Sequence, residues 1–149
     1  MGKKMNHEFQ KGIEKKRIEA FPQAKGLVKD EIRAAEDDLQ EAGDRLKNKK
    51  YKYTTITAYY AMFHAGRALV YSKGYREKSH YYLLVALRAL FVEQGLLPEK
   101  LITEFHDAMT LREDADYHAQ FSKEGAQSVL TSAGELLSLA KSIVESDKN

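Results

Sequence analysis

The sequence predicts an all-α protein, an up-and-down antiparallel bundle of about five helices with a short N-terminal extension. Three observations predict it. Only two prolines, Pro22 and Pro98, occur in 149 residues, and no stretch shows the strict alternation of a half-buried strand. Apolar residues recur in steps of three and four through successive segments. The connections between those segments are short and carry cap residues, as antiparallel neighbours require. The bundle domain is read as residues 25 to 149. Residues 1 to 24 are less periodic and read as either a short docked helix or an arm.

Ile32, Ala35, Leu39, Ala42 and Leu46 put a first long helix at roughly 27 to 48, with a charged opposite face. The second, roughly 52 to 73, carries a small-residue stripe of Ala58, Ala61, Ala65 and Ala68. Small side chains let other backbones approach, so this helix is expected at the centre, with Gly74 as its C-terminal cap. Ser79 is a good N-cap for a third helix running through Leu83, Leu84, Leu87, Leu90 and Phe91 to a stop at Gly95. Pro98 suits the first turn of a fourth. The fifth, roughly 123 to 145, holds Ala126, Val129, Leu130, Ala133, Leu136, Leu137 and Ala140 in phase.

Cysteine is absent from the sequence, so disulfides, thiolate zinc sites and cysteine nucleophiles are excluded. No apolar run approaches the roughly 20 residues of a membrane span, and the polar start MGKKMNHEFQ lacks a signal-peptide core. A cytoplasmic protein without membrane partners is expected. The net charge of +2 hides an asymmetry: residues 51 to 100 hold 7 Lys/Arg against 3 Asp/Glu, whereas residues 101 to 149 hold 4 against 9. That permits a modest phosphate-facing patch on the middle helices and falls short of a dedicated duplex binder. His64, His80 and His106 have no histidine partner at helical spacing, so no metal site is expected. His80, just after the Ser79 cap, is expected to pack or hydrogen-bond at its helix start.

On the fourth helix Ile102, Phe105 and Met109 share a face, and the next position on it is Arg112. A guanidinium stands where an apolar residue is due. Asp116 lies four residues on, in position to pair with it. Glu113, Tyr117 and His118 add a carboxylate, a phenol and an imidazole nearby. A structural reading makes Arg112 and Asp116 a stitch between helices and His118 a helix-end side chain. A functional reading is phosphate chemistry on RNA: the guanidinium neutralises phosphoryl oxygens, and an imidazole with a pKa near 6.5 relays protons at neutral pH.

AYYAMFHAGRALVYSKG at 58 to 74, KSH at 78 to 80 and LREDADYH at 111 to 118 together resemble the HEPN family of small helical bundles. The resemblance covers roughly residues 27 to 145. It implies a homodimer in which two arginine motifs face one cleft, and a minimal nucleotidyltransferase encoded nearby as partner. It also implies, for many members, metal-independent endoribonuclease activity at an Arg-x(4 to 6)-His motif without a cofactor. Arg112 and His118, with five residues between them, satisfy that spacing. On this reading Arg112 and His118 are catalytic, and Asp116, Tyr117 and Glu113 support the site or bind nucleotide. Glu113 stands where active toxins usually have Asn, Asp or His. Tyr117 precedes the histidine, whereas the nucleotidylated branch places its tyrosine two residues after it. Three functions follow: a ribonuclease toxin, a non-catalytic nucleotide- or substrate-binding partner of the transferase, and a nucleotidylation target.

Overall fold

A computed structural model describes residues 6–147. Of the N-terminal stretch 1 to 24, residues 1 to 5 therefore lie outside the described residues. The described chain runs α1 (His7–Glu14), β1 (Ile18–Ala20), α2 (Val28–Lys47), α3 (Tyr51–Ser72), β2 (Tyr75–Glu77), α4 (His80–Leu87), α5 (Glu99–Tyr117) and α6 (Lys123–Asp147). The five helices legible in the sequence are α2 to α6.

α3 is the axis of the bundle, packed against α2, α4, α5 and α6. Its stripe of Ala58, Ala61, Ala65 and Ala68 is fully buried, and so are Tyr59, Met62 and Leu69. Gly66 extends the stripe where the approach is tightest. A Cβ there would lie 3.2 Å from both Leu87 Cδ1 and Phe105 Cε2. α4 and α5 thus close over α3 through the sides of Leu87 and Phe105. Across the bundle, Ala35 and Ala42 of α2 and Ala126, Ala133 and Ala140 of α6 are fully buried, which keeps those helices close as well.

The helix ends follow their cap residues. Ser79 Oγ accepts the Tyr82 N–H at 3.1 Å, fixing the start of α4. Ser122 does the same for α6 through the Gly125 N–H at 2.9 Å. Gly74, at φ +82°, sits just past α3 and donates its N–H to the Tyr71 carbonyl.

Two features depart from the sequence expectation. The third helix is regular only to Leu87 and continues as a wider π-type turn over Arg88–Val92. In an ordinary helix each step of four residues drifts by about 40°, and the wider turn offsets the drift, so Leu83, Leu87 and Phe91 are all fully buried. The second is a small antiparallel ribbon, β1 with β2, pairing Ile18 with Glu77 and Ala20 with Tyr75. Three residues per strand are too few for alternation to be read. The ribbon and α1 cover the start of α4: Phe9 is buried edge-on against Tyr75 at 5.4 Å, and the Asn6 side chain caps α1 at the Phe9 N–H.

Candidate functional site

Arg112 lies one turn and a half before the end of α5, on the same face as the buried Ile102 and Phe105. That face meets the tyrosine pair of α3. Arg112 Nη2 donates to the Tyr60 hydroxyl at 2.8 Å and lies 3.4 Å from Asp116 Oδ2. The guanidinium carbon stands 5.9, 5.4 and 5.5 Å from the ring centres of Tyr59, Tyr60 and Tyr117. Three π faces and one carboxylate thus balance a side chain that is only 16 % exposed. The balance is incomplete, because Arg112 Nε is buried without a hydrogen-bond partner.

Asp116 and Arg112 form the i, i+4 pair that their spacing anticipates. Glu113 and Tyr117 are exposed, Tyr117 at 68 %. His118 is also exposed, at the C-cap of α5, and donates its backbone N–H to the Asp114 carbonyl. Its imidazole has no side-chain partner among the described residues, and it is not among the groups that touch Arg112. Ala119 then turns the chain at φ +52°, a left-handed conformation that an alanine adopts at a cost.

A second histidine packs against the same Tyr59 ring as the arginine. His80, the first residue of α4, hydrogen-bonds through Nδ1 with the hydroxyl of the fully buried Tyr59. Its ring stacks on Tyr59 at 5.6 Å and lies 4.6 Å from Phe63. Burial, then the charges of Arg112 and Arg67, hold the imidazole below its ordinary pKa, with Glu113 opposing. Burial also pushes the Tyr59 phenol well above its ordinary value. Both groups therefore stay neutral at neutral pH.

Beyond His80 the α3 face continues to Arg67, whose guanidinium carbon is 5.2 Å from the Phe63 ring and 5.0 Å from the Tyr71 ring. Arg67 hydrogen-bonds the Tyr71 hydroxyl, and its Nε approaches Glu77 Oε2 of β2 at 3.3 Å. Burial raises the Glu77 carboxyl pKa, against the opposing pull of its own backbone N–H and Arg67. Arg67 Nε and Glu77 Oε1 are, like Arg112 Nε, buried without hydrogen-bond partners. Next to this cluster His64 is held by Glu31 at 2.7 Å.

The spacing of Arg112 and Asp116 anticipates their pairing, but not what α3 and α4 bring to them. Tyr60, Phe63, Arg67 and Tyr71 recur in steps of three and four, a face that could have been read as a polar and aromatic seam. His80 was expected to pack or hydrogen-bond at its helix start, as it does with Tyr59, but no spacing tied it to Arg112. Among the described residues no group of three or more His, Cys, Asp or Glu is arranged to hold a metal ion.

A model of the HEPN domain matches residues 28–143, from the start of α2 nearly to the end of α6. The chain belongs to the HEPN family. Its relatives include a protein described as a candidate toxin from Methanocaldococcus jannaschii, 32 % identical over 71 % of this chain and 83 % of that protein. A UPF0332 protein from Archaeoglobus fulgidus is 31 % identical over 78 % of this chain and 94 % of its own length. A second candidate toxin of M. jannaschii is 28 % identical over 66 % of this chain and 69 % of that protein. The HEPN match takes in α2 to α6 and with them Arg112, His80 and Arg67; α1 and β1 precede it.

Proposed function

We propose that this HEPN protein is a toxin-type, metal-independent endoribonuclease that acts as a homodimer, with Arg112 and His118 of both subunits lining a shared cleft. The observation that carries the reading is the placement of Arg112: a guanidinium set into the apolar face of α5, held by Tyr60 and Asp116 and left with an unpartnered Nε. The toxin descriptions of its relatives agree with it.

The chemistry is transesterification. A ribose 2′-oxygen attacks the adjacent phosphorus, the bond to the 5′-oxygen breaks, and a 2′,3′-cyclic phosphate remains. His118 takes the 2′-hydroxyl proton or protonates the leaving oxygen. Arg112 faces the charge that grows on the phosphoryl oxygens, where preorganised donors contribute several kcal/mol. Asp116 orients Arg112, and the Tyr117 ring, which is exposed, stacks on an unpaired base. DNA, lacking the 2′-hydroxyl, is spared. The test is cleavage of mixed-sequence RNA by the purified protein in excess EDTA, with Arg112→Ala and His118→Ala in parallel. Cleavage by the parent alone, leaving cyclic phosphate ends, supports the reading. Absence of cleavage by an intact dimer overturns it.

One observation favours a second reading. The Tyr117 phenol is two-thirds exposed beside Arg112, open to nucleotide transfer from a minimal nucleotidyltransferase partner. On that reading the chain binds nucleotide or receives it without cutting RNA. Coexpression with such a partner then adds one or more adenylyl groups to the intact mass, and Tyr117→Phe removes the addition.

A further inference from the structure

Tyr59 is fully buried, and among the described residues its hydroxyl has one side-chain partner, Nδ1 of His80. That isolation decides which way the hydrogen bond runs. If Nδ1 carried the proton and donated it, the phenol O–H would be sealed in the core with no acceptor, at a cost of about 1–3 kcal/mol. The phenol therefore donates. Nδ1 accepts, and a neutral His80 must carry its own proton on Nε2.

That Nε2–H has no acceptor among the described residues, and Nε2 is not one of the buried unpartnered atoms, so it opens to the surface. Cations stand on both sides. Arg112 and His80 pack against the same Tyr59 ring, at 5.9 and 5.6 Å. His80 and Arg67 pack against the same Phe63 ring, at 4.6 and 5.2 Å. A donor between two guanidiniums, with Glu113 as the acidic group acting on it, is a place for an anion.

We infer that His80 is a neutral hydrogen-bond donor to a phosphate of bound RNA, its tautomer set by the Tyr59 hydroxyl and its ring placed between Arg112 and Arg67. The inference rests on the RNA reading proposed above and assigns His80 binding rather than proton transfer. Because Nδ1 is already engaged and Nε2 protonated, the ring does not serve as a general base without breaking its bond to Tyr59. Arg112 meets the scissile phosphate, and His80 holds the same or the next phosphate along α3.

The test uses the uniformly 15N-labelled full chain at pH 7 and a mixed-sequence 2′-O-methyl RNA, which binds without being cleaved. In the free protein the His80 ring resonances should be those of a neutral imidazole protonated at Nε2. At saturating RNA both Nε2 and its proton should shift, together with the Arg112 Nε–H. His80→Ala should weaken binding about tenfold, the worth of one hydrogen bond to a charged group. His80→Gln, whose amide N–H reaches a similar point, should restore most of it. A free His80 protonated at Nδ1 overturns the inference directly. Movement of Arg112 with His80 Nε2 unmoved overturns it while leaving the RNA reading intact. Stillness of both overturns the two together.

Discussion

Arg112 is held by a phenol as much as by a carboxylate, and the two contribute differently. Asp116 is a partly exposed ion pair at 3.4 Å, worth a few tenths of a kcal/mol, whereas the Tyr60 hydroxyl is a part-buried acceptor at 2.8 Å. Tyr60→Phe should therefore destabilise the protein by about 1–2 kcal/mol, more than Asp116→Asn, as read by chemical denaturation. Seven residues after Arg112, Ala119 turns the chain in a left-handed conformation, so Ala119→Gly should stabilise it by about 1 kcal/mol in the same measurement. His80 supplies the pH dependence. Burial and two nearby guanidiniums lower its pKa in the folded state, so the unfolded chain takes up the proton first, near pH 6.5. The stability it contributes is complete above that pH and fades as the pH falls through the lowered folded-state value. Between pH 7.5 and 5.5 the denaturation midpoint of the parent should fall, and in His80→Gln that part of the fall should be absent.

Two helices meet α3 through contacts that single residues control. Gly66 admits α4 and α5 because no Cβ stands between Leu87 and Phe105, so Gly66→Val should cost about 1–3 kcal/mol of overpacking. The start of α4 depends on Ser79, whose hydroxyl caps the helix one residue before His80. Ser79→Ala should lower stability by about 1 kcal/mol and, by loosening the first turn, broaden the His80 ring resonances. These caps and stripes are local, and local features were legible: the spans of α2, α3 and α6, and the start of α5, follow from periodicity and end residues alone. The ribbon and the π-type turn were not. Each strand is three residues, shorter than any period can be read over, and the turn exists to keep Phe91 in a core that α3 helps to define.

At the scale of the molecule, one chain supplies one copy of the Arg112 and His118 motif, whose two side chains do not touch, with Tyr117 and Phe121 exposed beside them. The composite cleft proposed for catalysis therefore requires a second copy. Sedimentation at micromolar concentration should show a dimer, and a chain that stays monomeric there while cutting RNA would rule the shared cleft out. No described helix is long and apolar enough to cross a membrane. The sequence by itself determined the helical class, the central place of α3 and the pairing of Arg112 with Asp116, because each depends on spacing within one helix, and the family resemblance, because it rests on short contiguous motifs. Only the tertiary structure decided that Tyr59 and Tyr60 of α3, His80 of α4 and Arg112 of α5 share one site, and that His118 stands outside their contacts. Those residues lie up to 53 positions apart, from Tyr59 to Arg112, and nothing in a helical period says which faces of different helices will meet. Packing decides it: the small side chains of α3 bring α4 and α5 close enough for a buried phenol to reach a histidine and for a second phenol to reach an arginine.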